Sequence, residues 1–323
     1  MSENKGLLSS GWGMVARNKR YIFWFWLLNL TLAEFGTSAF RKSAHAILDH
    51  SIGGDRLVHG FDLAVMFNLL ARPEFGSMAA MTTPALYFSF LFLVATALFL
   101  PGVFQGYAST YRLPREDFFR ACGRNLWRYI RLMFFAGIVM GLATFALFGL
   151  HGVLERKATE STNELLLPEV RFVGLAVIFL IMACFRIWFD LAEADIVLSD
   201  QRAVRKSIWL GLRHTLRRLI RLLASYVVAT VLAAILLVGG FCTWMKFVNP
   251  ESVLGAFVVS QLTLLLLLIP RFWQRGVAVS YWQQHMMLPV VPVRPIEPQP
   301  VPVEVAPVPA PEAPNPPVET PET

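Results

Sequence analysis

The chain has 323 residues, of which 55% are apolar and 16% are charged, and its formal net charge at pH 7 is +7. Soluble domains carry about 25% charged residues, so this composition argues against that class. Nucleic acid is not the expected partner either, because the basic residues cluster beside apolar runs, where anionic lipid headgroups are the simpler partner.

Six apolar runs are long enough to cross a bilayer, which takes about 20 mainly apolar residues. They lie near residues 21–40, 82–104, 132–150, 170–189, 222–245 and 253–270. The prediction is an all-α integral membrane protein with six transmembrane helices. A leader (1–20) precedes the membrane domain (21–288), whose first outer loop is an amphipathic segment (41–81).

The distribution of basic residues predicts the orientation. With the N-terminus in the cytoplasm, 20 of the 29 Lys and Arg residues fall on the cytoplasmic side of these spans. Such an excess in short loops is typical of cytoplasmic loops, so both termini are expected in the cytoplasm of a bacterial cell, with the protein in the inner membrane. The tail (289–323) has thirteen prolines and is expected to be extended and disordered.

Four charged residues are the candidates for intramembrane charge. Glu34 lies in the first span, and Arg186, Asp190 and Glu193 share one face at the end of the fourth. Charges at this depth are costly unless they are paired or face water. They predict either a local structural latch or, as the alternative, a path for an ion or small solute.

Two further groups of polar residues flank the spans. His45, Asp49, His59 and Asp62 in the outer segment are weak metal-ligand candidates, because solvated helix faces also show such spacing. Basic amphipathic helices in the interface plane are predicted before spans three and five. Their arginines are expected to contact lipid headgroups or only to set the topology: Arg120, Arg124, Arg128, Arg131, Arg213, Arg217 and Arg221.

An internal triplication is suggested by ungapped alignment. Residues 118–132 and 208–222 share Leu, Arg, Ile, Arg and Leu at an offset of 90, and RNKRYI of the leader is similar to RNLWRYI. The segments that follow spans two, four and six also align: LPGVFQGYAS (100–109), FRIWFDLAEA (185–194) and PRFWQRGVAV (270–279). Each predicted unit is a cytoplasmic amphipathic helix followed by a hairpin of two spans.

The segment IVLSDQRAVRKSIWLGLRHTLRRLIRLLASYVV resembles poorly characterised bacterial multipass families, including the membrane domain that accompanies some glycerophosphoryl diester phosphodiesterases. Val197, Ala203, Ser207 and the arginines before span five carry the resemblance. It implies a six-helix membrane module and no catalytic residue, since only the Pro-rich tail follows the last span here.

No motif for nucleotide binding, serine hydrolysis or zinc catalysis is present in the sequence. We therefore expect a non-enzymatic scaffold or accessory module without a cofactor. Its basic cytoplasmic collar, formed by the basic residues on the cytoplasmic side of the spans, is expected to bind anionic lipid or an acidic protein partner. The tail is a second expected binding site for such a partner. A transporter or channel that uses Glu34, Arg186 and Asp190 is the alternative, and a lipid-modifying enzyme is the third hypothesis.

Overall fold

The computed structural model describes residues 6–48, 64, 67, 78–161, 165–249 and 252–287. These residues belong to one compact unit, Met1–Met287. The Pro-rich tail and most of the outer segment at 41–81 lie outside the described residues, so the predictions for them are not addressed by the structure.

The described ranges are helical, without a strand. Their helices are α1 (Leu7–Arg17), α2 (Lys19–Leu48), α3 (Met78–Ala108), α4 (Arg115–Thr159), α5 (Leu166–Leu198), α6 (Val204–Arg217), α7 (Leu219–Phe247) and α8 (Val253–His285). Local sequence supports the boundaries: Ser252 caps α8 by accepting a hydrogen bond from the Gly255 amide, and Glu116 and Asp117 stand in the first turn of α4, where they complement the helix dipole.

Five of these helices, α3, α4, α5, α7 and α8, are long and apolar enough to cross a membrane. The all-α prediction is thereby confirmed for the described residues, and the five helices are compatible with a multipass membrane protein. Helix α2 contains the first predicted span and is not among the five. Polar residues within that span, Asn29 and Glu34, lower its mean hydropathy.

The long helices pack as three pairs, and the two helices of each pair follow one another in the chain. The pairs are α2 with α3, α4 with α5, and α7 with α8. Each pair is preceded by a lead-in segment: α1, the first turns of α4 (115–131), and α6. Each lead-in segment packs on the end of another pair, α1 on α8, the start of α4 on α3, and α6 on α5. The ends of α3, α5 and α8 also contact one another, so the three pairs join at these exit segments (100–109, 185–194 and 270–279).

The lead-in segments join their spans in two ways. Helices α1 and α2 are separated at Asn18 (φ −118°, ψ 37°), and α6 and α7 are separated at Arg218 (φ −131°, ψ 34°). The second lead-in segment is continuous with its span in α4, a single helix of 45 residues. The prediction of a separate amphipathic helix in the interface plane is therefore wrong for this segment, since residues 115–131 extend the span along its own helix.

Two of the junctions are built from the same contacts. The Trp188 indole donates a hydrogen bond to the Ile208 carbonyl at 2.7 Å, and the Trp273 indole donates one to the Leu8 carbonyl at 2.9 Å. Trp188 and Trp273 are aligned in the exit segments, 85 positions apart, while Leu8 and Ile208 are 200 positions apart. Corresponding positions of an exit segment and a lead-in segment therefore meet at both junctions.

Burial follows the same spacing. Ser207, Gly211, Thr215, Leu222 and Ser225 are buried in α6 and α7, and the residues 200 positions earlier are buried as well: Leu7, Gly11, Val15, Ile22 and Phe25. In α4, Ala121, Asn125, Leu132 and Ala136 are buried at the offset of 90. One face of each lead-in segment and of the following span thus turns towards the core.

The core lies among the exit and lead-in segments. Its largest fully buried side chains include Tyr21, Tyr107, Phe104, Phe189 and Phe272. Farther along the spans, large apolar side chains are exposed, such as Phe145 in α4 and Ile235 in α7. This distribution suits a bundle that is held together at one end and surrounded by lipid along most of its length.

Candidate functional site

The exit end of α5 carries three buried carboxylates. Asp190 is 0% exposed, Glu193 is 4% exposed and Asp195 is 3% exposed. Helix periodicity places Asp190 and Glu193 on one side of α5, while every residue from Ile187 to Val197 except Trp188 is buried because neighbouring helices surround this turn. Burying charge is expensive unless it is paired, so the surroundings of these groups decide their role.

Each carboxylate accepts a hydrogen bond from a different helix. Tyr129 of α4 donates to Glu193 at 2.7 Å, and Tyr226 of α7 donates to Asp190 at 2.8 Å. The Trp282 indole of α8 donates to Asp195 at 3.2 Å, and the Ser199 hydroxyl is 3.1 Å from the same carboxylate oxygen. Helix α5 is therefore linked to three neighbours through its acidic residues, and we call Asp190, Glu193, Asp195 and these donors the acidic latch.

Two arginines accompany the acidic latch. Arg186 Nε lies 3.1 Å from Asp190 Oδ1, one helical turn away, while Arg186 Nη2 has no hydrogen-bond partner among the described residues. Arg275 of α8 is 5% exposed, and its guanidinium lies 5.3 Å from the centre of the Phe272 ring. With these two arginines included, the latch combines three acidic and two basic groups, which limits the uncompensated charge in the core.

Glu34 stands apart from the acidic latch. It lies on an exposed face of α2 and forms an ion pair with Arg41, in which both side chains are more than half exposed. The structure therefore brings Arg186, Asp190 and Glu193 together, as their spacing in the sequence predicts, and pairs Glu34 separately.

Six of the seven predicted headgroup arginines are exposed. Arg128 is the exception: its side chain is 19% exposed and forms an ion pair with Asp200, which also lies 3.9 Å from Arg124. The hydrogen bond from Arg128 lowers the pKa of Asp200, and the positive charge of Arg124 acts in the same direction. Arg120 pairs with Asp117, and Arg131 stacks over Trp127, so both keep exposed positive charge beside α4.

The third lead-in segment presents a second exposed group of arginines. Arg213 and Arg217 are exposed on α6, and Arg221 continues this face on α7. Partial burial lowers the pKa of His214, and the charges of Arg213 and Arg217 lower it further, so this imidazole is neutral near pH 7. The collar charge here therefore comes from the arginines and Lys206.

Of the four weak metal-ligand candidates, only His45 lies in the part of the chain that the structure describes, near the end of α2. Asp49, His59 and Asp62 lie outside it. The described residues include no group of three or more His, Cys, Asp or Glu side chains arranged to hold a metal ion.

Several latch residues were not predicted from the sequence: Asp195, Arg275, Tyr129, Tyr226 and Trp282. Arg275 had a detectable signal, because the alignment of FRIWFDLAEA with PRFWQRGVAV places it opposite Asp190. The tyrosine donors had none, since their contacts depend on which helices become neighbours.

Comparison of the chain with protein-family models, with curated proteins and with solved structures finds no match.

Proposed function

We propose that the chain is a non-enzymatic scaffold or accessory protein of a bacterial inner membrane, whose basic cytoplasmic collar binds anionic lipid. The observation that carries the proposal is the contrast between two sets of charges. Arg186 pairs with the fully buried Asp190, whereas six of the seven collar arginines are exposed. Four of the exposed arginines form no ion pair among the described residues: Arg131, Arg213, Arg217 and Arg221. An exposed arginine near an anionic membrane surface contributes about 1 kcal/mol of attraction.

The architecture that we propose has six spans in three repeated hairpins, with α2 as the first span. The matching Trp188–Ile208 and Trp273–Leu8 hydrogen bonds and the burial pattern at an offset of 200 support the repeat. In this arrangement the lead-in segments, the exit segments and both termini lie on the cytoplasmic side, where most of the basic residues are.

An acidic protein partner and a transport function are the competing interpretations. A partner would use the same collar, and it would be recognised through the same exposed arginines. Transport through a path that joins Glu34 to Arg186 is less well supported, because Glu34 pairs with Arg41 on an exposed face while Arg186 packs against the acidic latch.

The collar is tested with a variant in which Arg120, Arg124, Arg213 and Arg217 are all replaced by Gln. The matched control replaces four exposed basic residues expected on the opposite side, Lys42, Arg156, Lys157 and Lys246. Protein is extracted with its surrounding bilayer by a polymer, and the enrichment of phosphatidylglycerol over bulk membrane is measured, together with topology by reporter fusions.

We expect the phosphatidylglycerol enrichment around the collar variant to fall several-fold, or the orientation of the variant in the membrane to change. The control is expected to keep both the enrichment and the orientation. Equal enrichment and unchanged orientation in the collar variant would contradict the proposal. Loss of a copurifying acidic protein with unchanged lipid enrichment would favour the partner interpretation instead.

A further inference from the structure

A groove opens between α5, α7 and α8, beside the acidic latch. Its volume is about 380 Å³, and its walls come from the second and third helix pairs. The lining residues are Phe179, Met182, Ala183, Arg186, Tyr226, Ala229, Thr230, Ala233, Leu267, Pro270, Arg271 and Gln274. Arg186 and the acidic latch stand at one end of the groove, and apolar side chains continue along α5 and α7 from there.

The polar end of the groove is lined by two arginines. Arg186 and Arg271 both line it, whereas no carboxylate is among the described lining residues. Arg186 Nη2 is buried without a hydrogen-bond partner, although Nε of the same side chain pairs with Asp190. No carboxylate of the described residues forms an ion pair with Arg271. Arg271 is therefore exposed at the groove without a carboxylate partner among the described residues, and Arg186 beside it keeps one unpaired guanidinium nitrogen.

The other end of the groove is apolar. Phe179 lies seven residues before Arg186 on α5, which is about 10 Å along a helix. Met182, Ala233 and Leu267 lie along this length, and small alanines at 183, 229 and 233 keep the space open. A charged end and an apolar channel of this length match a headgroup and the first part of an acyl chain.

We propose that this groove binds one anionic phospholipid, with its phosphate held by Arg186 and Arg271 and the start of one acyl chain along α5 and α7. Guanidinium groups bind phosphate through charge-assisted hydrogen bonds, and the position of both arginines at the end of apolar spans is the level of headgroups. Gln274, which donates to the Thr230 hydroxyl at 3.1 Å, lies at the same end and fixes the wall of the groove.

The inference rests on the proposed membrane orientation, in which this end of the groove faces the cytoplasmic leaflet. It differs from the collar proposal in its residues and in its stoichiometry. The collar attracts many lipids around the protein, whereas the groove holds one lipid between helices.

The test uses native mass spectrometry of the full chain in detergent, with added phosphatidylglycerol. Arg271→Gln removes one phosphate contact without breaking an ion pair, and Ala233→Phe fills the apolar channel without changing charge. Arg156→Gln, an exposed arginine at the far end of α4 and outside the collar, is the matched control for the loss of one arginine. Melting temperature and elution volume establish that each variant is folded.

We expect one retained phosphatidylglycerol in the native chain and in Arg156→Gln, and an affinity at least about tenfold weaker in Arg271→Gln, as for the loss of a charge-assisted contact. Ala233→Phe is expected to weaken the binding similarly. Phosphatidylcholine of the same chain length should not be retained, and inorganic phosphate at the same concentration should not displace the lipid.

Unchanged retention in both groove variants would overturn the assignment, as would equal retention of phosphatidylcholine. Displacement by inorganic phosphate at equal concentration would show that the acyl chain contributes nothing, and would also overturn it. Loss of the retained lipid in Arg156→Gln alone would place the site away from the groove, which overturns the groove assignment and leaves the proposed function standing.

Discussion

Tyr129 and Tyr226 determine whether the buried carboxylates of α5 are stabilising or costly. A buried ionised group that loses a donor bears a desolvation penalty that the rest of the protein does not offset. Glu193 and Asp190 each accept a short hydrogen bond from one of these tyrosines, and the tyrosines are themselves 0% and 2% exposed. Because each phenol is buried, the carboxylate that it contacts is its main hydrogen-bond acceptor.

We expect Tyr129→Phe and Tyr226→Phe each to lower the free energy of unfolding by about 1–3 kcal/mol, because each leaves a buried carboxylate short of a donor. The measurement is denaturant unfolding of the purified chain in detergent. Tyr111→Phe is the control, since Tyr111 is 64% exposed. If both buried variants unfolded like the control, the hydrogen bonds of the acidic latch would contribute nothing to stability.

At the scale of elements, two lead-in segments pack on their exit segments with backbone in contact. A Cβ atom on Gly11 of α1 would come 2.8 Å from the Val277 amide nitrogen, and one on Gly211 of α6 would come 2.9 Å from the Trp188 carbonyl oxygen. Main-chain atoms inside a helix cannot move aside as a flexible side chain can. Glycine at these two positions therefore permits α1 and α6 to approach α8 and α5 closely.

We expect Gly11→Ala and Gly211→Ala each to destabilise the fold by about 1–3 kcal/mol through overpacking. Gly123→Ala in α4 is the control, because its Cβ would meet nothing within 4 Å, and it should gain about 1 kcal/mol of helix propensity. All three replacements lie inside helices, so propensity cancels in the comparison. Denaturant unfolding that ranked the three variants equally would mean that the helices do not approach as closely as the structure has them.

At the scale of the whole molecule, the number of spans fixes the sides on which the termini lie. Five helices meet the length and hydropathy needed to cross, and α2, the sixth candidate, contains Glu34 and Asn29. An even number of crossings returns the chain to its starting side, whereas an odd number does not. The location of the two termini therefore decides whether α2 spans.

We expect reporters fused to the N-terminus and to residue 323 to lie on the same side, in the cytoplasm, because α2 pairs with α3 and the basic residues favour that orientation. The measurement compares a reporter active only in the cytoplasm with one active only outside it. A fusion after Thr159, at the end of α4, serves as the control for the opposite side. Termini on opposite sides would remove α2 from the set of spans.

Local patterns in the sequence account for much of the fold. The apolar runs give the long helices, and the spacing of Arg186 and Asp190 gives their ion pair, because both are properties of one helix. The continuity of α4 was missed because a change from amphipathic to uniformly apolar residues resembles a boundary, although no glycine or proline breaks the helix between 124 and 136.

The candidate site was less accessible from the sequence. Arg128 was expected at lipid headgroups with the other collar arginines, but it pairs with Asp200, which is 72 residues away. The donors to the acidic latch come from α4, α7 and α8, and the groove forms between two helix pairs. Such contacts depend on the order in which helices become neighbours around the core, and that order is not encoded in the periodicity of any single segment.

The hydrogen bond from Trp273 to the Leu8 carbonyl joins residues 265 positions apart. Because α1 precedes α8 in the chain, this contact can form only after the intervening helices have been synthesised. Until then Leu7, Gly11 and Val15, which form the buried face of α1, have no α8 to pack on. Their contact with α8 joins the first helix pair to the third.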